Sequence, residues 1–447
     1  MIPVTICNGA DEITRLAQLK ARGGEIDARV TSMVSEIIAA VREKGDAAVR
    51  GFTHYFDVEA RRDTLRVVDE VRASHAFDQG ESCEIPRARL EESLKTCSPD
   101  FLCALRQSAE NIREFHARQL RQSFFFARED GVMLGQRFRP LHRVGVYVPG
   151  GTAPLPSSVL MNVIPAKVAG VKEIIMATPE QAGGGANEQI LAAAAVAGVD
   201  RVFLVGGAQA IAALAFGTAT IPKTDKITGP GNIFVAAAKK LLYGVVDIDM
   251  IAGPSEILVI ADDSANPAWL AADLLSQAEH DRLASAILIC TSKATAEQTV
   301  AALERQLEKL PRRQIAEEAL RQFGAVFVCE SVARAMELAN EFAPEHLELC
   351  VRNPMDWLGA ANNAGSVFLG HWTPESVGDY FAGPNHVLPT GGTPRFFSPL
   401  SVDDFVKKVQ FIYYTESALR SAAGSIVTLA EAEGLAGHAN AARIRVQ

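Results

Sequence analysis

Glu345 and His346 stand side by side in the segment FAPEHLEL. A neutral imidazole accepts an alcohol proton near neutral pH, and a carboxylate suits deprotonating water or steering a histidine. The pair therefore fits a reaction with two different proton demands. Adjacent residues on a strand point to opposite faces, so both reach one site only from a turn or a helix start. Pro344, just before them, predicts a helix start. The segment SQAEHD puts Gln277 and His280 three apart, on one face of a predicted helix. ESVGDYFAGPNHVLPTGG supplies Asp379 and His386 among glycines and prolines, and AEAEGLAGH near the end supplies Glu433 and His438. These four clusters predict one assembled site for a metal ion and for proton transfer.

Each cluster also has an ordinary reading. Zinc prefers histidine, cysteine and carboxylate ligands, so a Q-x-x-H pair taken alone is more often a surface helix feature. Asp379 and His438 are suited to complete a four-ligand set, but spacing along the chain does not bring them together. His386 suits a place behind the ligands or against substrate. A Pro-Glu step commonly opens a helix, and a histidine after it can be incidental.

The elements that position these residues follow from composition and pattern. A chain of 447 residues exceeds one ordinary core and predicts two or more domains. Its 48% hydrophobic and 22% charged content is that of a soluble globular protein. A net charge of -9 and a pI of about 5.6 exclude a nucleic-acid or anionic-membrane partner, both of which need clustered positive charge. No apolar run reaches the ~18 residues of a membrane span, and the start MIPVTICNGADEITRL lacks the basic and apolar regions of a secretory signal. The seven cysteines, Cys7, Cys83, Cys97, Cys103, Cys290, Cys329 and Cys350, form no C-x-x-C pair. Such a scattered, odd set predicts a reducing cytoplasm and argues against a cysteine-held zinc.

Residues 1 to about 140 read mostly as helix, with apolar residues at three-to-four spacing and Ser98-Pro99 as a helix start. His116 on the second of these stretches reads as an ordinary surface or half-buried histidine. From Arg143 the texture changes. RVGVYV, EIIMAT and RVFLVG are short β-branched runs separated by helical segments, which is the alternation of a doubly wound α/β unit. Glycine turns follow the strands: VPGG at 148–151, VGGAQ at 205–209 and TGPGN at 228–232. They let the backbone approach a ligand, and phosphates favour the helix N-termini beyond. A second unit starts near Ser255 with EILVIA, then AILICT, AVFVCE and LELCV. Past Asp379 the prolines and glycines break the pattern, and a helical tail is predicted from Val402 to Arg445. The fold class expected is α/β: two Rossmann-like doubly wound units without the G-x-G-x-x-G fingerprint, a helical N-terminal region, and an extended C-terminal arm ending in helix. An arm of this kind often crosses to another subunit. Tyr147, Gln209 and Asn232 lie at or near strand ends of the first unit, where ligands bind in such sheets, although each also suits a satisfied turn residue.

Together these segments resemble the histidinol dehydrogenase family. The resemblance covers nearly the whole chain from about residue 30. It is strongest in VGVYVPGGTAPLPSSVLMNVIPAKVAGV, GGAQAIAAL, GPGNIFV, AGPSEILVIAD, LLSQAEHD, FAPEHLEL, ESVGDYFAGPNHVLPT and EGLAGHANA. Phe216 and Phe234 depart from the family's common tyrosine, and Pro394 from its alanine or glycine; none is a presumed catalytic group. The resemblance implies one zinc per subunit on Gln277, His280, Asp379 and His438, with Glu345 and His346 as the proton-transfer pair. It implies further substrate contacts at Ser255, His386 and Glu433, and NAD contacts at Tyr147, Gln209 and Asn232. It implies oxidation of L-histidinol through bound L-histidinal to L-histidine, the last steps of histidine biosynthesis, with two NAD and one water. A relative acting on another small alcohol, such as a sulfonated propanediol, is the alternative; Glu433 and the full zinc set favour histidinol. A homodimer follows by the same likeness, with the arm reaching the partner's site so that Glu433 and His438 act in trans. Domains are expected at 1–25 (an N-terminal segment), 26–140 with 251–380 (catalytic), 141–250 (NAD-binding) and 381–447 (the arm).

Overall fold

The computed structural model describes residues 2, 4–21, 26–59, 63–78, 80, 82–150, 154–181 and 184–447. Gly151, the last residue of the predicted VPGG turn, and part of the 1–25 segment lie outside them. RVGVYV, EIIMAT and RVFLVG become the strands Arg143–Tyr147, Glu173–Thr178 and Arg201–Leu204. Strands buried on both faces need no polar alternation, and β-branched side chains fit the pleat. The three pair in parallel in that order. The chain then returns to the other side of Arg143–Tyr147 and adds Lys226–Thr228 and Asp247–Ile248. Glu84–Ile85 closes the far edge antiparallel to Arg201–Leu204.

The second sheet repeats this order. Glu256–Ala261 is its first strand, Ser285–Cys290 and Gly324–Val328 step outward, and His346–Cys350 and Ser366–Leu369 fill the other side, all parallel. Its far edge is Val4–Ile6, parallel to Gly324–Val328. Two parallel α/β units were expected, and both are present.

Three expectations need correction. Residues 26–140 were assigned with 251–380, yet their helices cover the first sheet. Val34, Ile37, Phe52 and Val67 pack with Ile175 and Phe203 on one face, and Leu102, Leu105 and Ile112 pack with Val144 and Val146 on the other. An amphipathic helix buries its apolar stripe wherever a sheet face is open, and sequence does not say which sheet that is. Residues before Ala21 pack instead on the second sheet, through Leu16 and Leu19 against Leu258 and Phe327. Second, the helical character of the N-terminal part ends at Ala117. Phe124–Ala127 and Met133–Pro140 form an antiparallel pair there. Third, the arm's tail does not begin as regular helix: Val406–Tyr413 pairs with Met133–Pro140, and only then follow the helices Glu416–Ala432 and Ala436–Arg443. Val406, Val409 and Ile412 are β-branched residues in a segment suited to a strand with one partner. Among the described residues, no helix is long and apolar enough to cross a membrane.

Candidate functional site

The proton-handling residues gather at the amino edge of the second sheet. The helix Val332–Phe342 stops at Ala343, which holds the left-handed φ of 57° at its C-terminus. Pro344 follows, and the chain enters the strand at His346. Pro344 thus closes a helix connection rather than opening a helix, which corrects the expected helix start. A residue before proline is pushed away from right-handed helix, so the stop is built into the sequence. Glu345 lies just outside the strand, so the alternation that would separate it from His346 does not apply.

Glu256, the first residue of the neighbouring strand, anchors both. Its N–H donates to Glu345 Oε2 at 2.8 Å, and the Glu345 N–H donates to Glu256 Oε2 at 3.3 Å. His346 Nδ1 lies 2.9 Å from the Glu256 carbonyl. A carbonyl only accepts, so Nδ1 carries the proton and Nε2 keeps its lone pair. That Nε2 is buried with no hydrogen-bond partner and sits 3.9 Å from both Glu375 Oε1 and Asp379 Oδ1. Burial lowers the His346 pKa, so the ring is neutral and basic at Nε2. Burial raises Glu345 well above the usual carboxylate range, with Glu256, Asp379 and Glu375 adding like charge. The same cause pushes Asp379 to about 6 and Glu375 to about 7, the latter also through Asp379.

Glu375 and Asp379 share the short helix Glu375–Tyr380. Its first N–H, that of Glu375, donates at 2.7 Å to Glu348, two residues along the strand from His346. The helix Pro267–Ala278 brings Gln277 in its last turn. His280 falls past the helix end in a turn where its N–H donates to the Gln277 carbonyl at 3.2 Å. The expected single helical face is therefore not what relates them: Gln277 is buried and His280 is exposed. His280 is still near enough to act electrostatically on His346, Glu375 and His386. His386 donates from Nδ1 to the Asp379 carbonyl at 2.9 Å, and its Nε2 faces Ser158 Oγ at 3.4 Å. Ser158 belongs to a helix of the first unit, Pro156–Ala169, so His386 stands where the two units meet. Ser255 is half-buried immediately before Glu256. Glu433, at the end of the helix Glu416–Ala432, and His438, within Ala436–Arg443, are exposed, unlike the buried Glu345 and His346.

Two members of the cluster were not foreseen. Glu375 lies four residues before Asp379, a spacing that stacks two carboxylates on one helical turn. Glu256 is a charged residue opening an otherwise apolar strand, also a readable signal. His116, read as at most half-buried, is fully buried: Nδ1 donates to the Ile112 carbonyl and Nε2 meets Asn385.

The residues present fit a metal ion. Gln277 Oε1, His346 Nε2 and Glu375 Oε1 are buried acceptors without a donor. His346, Glu375 and Asp379 offer ligand atoms within 4.8 Å of one another. Buried acceptors crowded beside several carboxyls are costly unless a cation satisfies them.

A second cluster lies at the carboxyl edge of the first sheet. Tyr147 ends its strand, and its hydroxyl accepts from the Gly207 N–H at 3.1 Å. Gly207 holds φ +63°, and a Cβ there would lie 2.7 Å from Gln209 Oε1. Gln209 is buried, with Nε2 unpartnered. Asn232 caps the helix Ile233–Leu242, accepting from the N–H groups of Phe234 and Val235. Gly229, before it, packs so tightly that a Cβ would fall 2.0 Å from the Tyr147 carbonyl. Tyr147 and Gln209 thus meet around Gly207, and the Asn232 turn lies against the Tyr147 backbone, at the point where the strand order reverses. The open amide nitrogen of Gln209 and the two helix N-termini suit a dinucleotide.

Comparison with known proteins bears on this geometry. A family model described as histidinol dehydrogenase matches residues 20–446. Histidinol dehydrogenase from Clostridium acetobutylicum is 52% identical over 428 residues, covering 96% of this chain and 95% of its own. That of Bacillus anthracis is 51% identical over 433 residues, covering 97% and 96%. The crystal structure of histidinol dehydrogenase from Elizabethkingia anophelis superposes with a TM-score of 0.89 at 36% identity, over 100% of this chain and 98% of that one.

Proposed function

The chain belongs to the histidinol dehydrogenase family, and from that premise we propose how its own residues carry out the zinc- and NAD-dependent oxidation of L-histidinol to L-histidine in histidine biosynthesis. Gln277, His280, Asp379 and His438 hold the metal; Tyr147, Gln209 and Asn232 hold the dinucleotide; Ser255, His386 and Glu433 complete the substrate pocket. When bound, zinc orients the substrate and NAD takes up hydride. His346 Nε2 accepts the hydroxyl proton of the alcohol and later that of the hydrated aldehyde. Glu345 takes a proton from the water that adds to the aldehyde. The one observation that carries this reading is the His346 ring, held as the Nδ1–H tautomer by Glu256 with its basic nitrogen unpartnered among acceptors. The junction between the two units, marked by His386 and Ser158, keeps the aldehyde away from bulk water.

Residues 141–250 act as the NAD-binding unit in this reading, and 381–447 as an arm exchanged with a second copy. Supporting the exchange, the arm exposes Leu429, Leu435 and Ile444, and the sheet it joins exposes Phe124, Phe125, Phe126 and Ile412. Large apolar side chains exposed in this number suit burial against a partner. Free cysteines support the cytoplasm as the place of action.

Supplying L-histidinol and NAD should yield L-histidine with two NADH per molecule, while a sulfonated propanediol gives none; reduction of NAD by the diol alone would overturn the substrate assignment. Mixed dimers test the exchange. Random pairing of Glu345→Gln with His438→Ala chains leaves one intact site in each mixed pair, so about a quarter of wild-type activity returns. No recovery would place His438 in its own subunit's site.

A further inference from the structure

Cys7 and Cys329 meet at the outer edge of the second sheet, apart from either cluster described above. Val4–Ile6 pairs with Gly324–Val328 in register, Ile6 opposite Val328, so the next residues are direct neighbours. The Cys7 N–H donates to the Val328 carbonyl at 2.9 Å, and the two sulfurs stand 2.9 Å apart. Adjacent strands lie about 4.8 Å apart, within the Cα separations that a disulfide spans. We propose that Cys7 and Cys329 form a reversible disulfide that fastens the N-terminal segment to the second sheet, made by exchange with a low-molecular-weight disulfide such as oxidised glutathione.

Cys7 is half-buried and Cys329 is buried, so Cys7 meets the incoming disulfide first. The Cys329 contact holds the Cys7 thiol below its usual range, against burial, with Glu12, Arg334 and Glu330 as the charged groups facing it. Thiolate character on the exposed partner is what exchange requires. The deprotonated Cys7 sulfur attacks one glutathione sulfur; the S–S bond breaks and one glutathione departs as thiolate. Cys329 then gives up its proton and attacks the Cys7 sulfur, releasing the second glutathione. The protein loses two electrons and two protons, and the glutathione disulfide gains them. The residues joined are 322 apart in sequence, and a long closed loop restricts the unfolded chain strongly.

The test uses the full-length protein, treated with oxidised glutathione, alkylated and digested without reductant. A cross-linked peptide pair should carry Cys7 and Cys329, with five of the seven cysteines (7 − 2) alkylated. Oxidised protein should unfold at a higher Tm than reduced protein, and neither Cys7→Ser nor Cys329→Ser should show that rise. Cys329→Ser should trap Cys7 as its glutathione adduct while matching reduced wild type in turnover. Recovery of both residues alkylated, or of Cys7 as a glutathione adduct in the wild type, overturns the proposal. An unmodified Cys7 in Cys329→Ser overturns the order of attack.

Discussion

The two sheets run through the same strand order, yet they present opposite edges to their proposed ligands. At the carboxyl edge of the first sheet, glycine turns lead into the N-termini of Gly207–Phe216 and Ile233–Leu242, with Tyr147, Gln209 and Asn232 around them. At the amino edge of the second, the C-terminal turns of Pro267–Ala278, Val332–Phe342 and Glu375–Tyr380 carry Gln277, the Ala343 stop and Asp379, the last of these 3.9 Å from His346 Nε2. Helix N-termini carry partial positive charge and C-termini partial negative charge. A parallel α/β unit therefore has one edge suited to anions and one suited to cations. The proposed function puts the polyanionic dinucleotide on the first kind and a divalent cation on the second, so that one architecture used twice would serve two ligands.

The largest expected effect falls on the amino edge. His346→Asn keeps a donor for the Glu256 carbonyl but removes the basic nitrogen, so kcat should fall by roughly 10²–10⁴ on both histidinol and histidinal. Glu345→Gln should mainly slow oxidation of supplied histidinal. Equal slowing of both variants on both substrates would show that the two residues act as one group and not in separate steps. Metal content should stay near wild type in His346→Asn; its loss would make the ring a ligand.

Next comes support of the metal. Glu375→Gln removes a buried carboxyl facing His346 and Asp379, and zinc affinity should drop by about 10–100-fold. NAD affinity should not move, because the first sheet is untouched. A matching loss of NAD binding would mean the two edges are not independent, and the comparison would fail.

Much of this was legible from residue order. Both α/β units and the glycine turns were readable, because strand–helix alternation and turn chemistry are local signals. The edge at which the Glu345–His346 cluster sits was not. Pro344 suggested a helix start, and only the left-handed stop at Ala343 shows that Glu345 and His346 precede and begin a strand. Glu375 and Glu256 carried only partial signals, the spacing to Asp379 and a charge opening an apolar strand, and neither says that the carboxyl is buried beside a histidine. The strands Val4–Ile6 and Glu84–Ile85 are three and two residues long, too short for periodicity to mark. Partner choice of the helices between Ala28 and Ala117 is a tertiary fact with no local trace.

A smaller effect probes the carboxyl edge. Gly207→Ala puts a Cβ on a residue at φ +63° and against Gln209 Oε1. The strain costs on the order of 1 kcal/mol, so the KM for NAD should rise by about fivefold, with zinc content and the histidinal rate at saturating NAD unchanged. A Gly207→Ala enzyme with wild-type KM for NAD would remove Gln209 from the dinucleotide site.

The smallest effect separates burial from chemistry across the two regions. His116 is buried against the first unit and His386 at the junction, and burial depresses both, His386 to about 4. An unfolded histidine titrates near 6.5. Between that value and the lower folded one, the unfolded chain binds more protons than the native chain, so stability rises with pH and falls as pH drops from about 6.5 toward about 4. Each group adds a slope of at most about 1.4 kcal/mol per pH unit. Urea unfolding of chelator-treated protein, followed downward from about pH 7, should show this loss, and His116→Gln should remove its own share of the slope while leaving that of His386. An unchanged slope in His116→Gln would mean that this ring stays neutral in the unfolded chain too or is charged in the native one, and burial at the first unit would then carry no proton linkage.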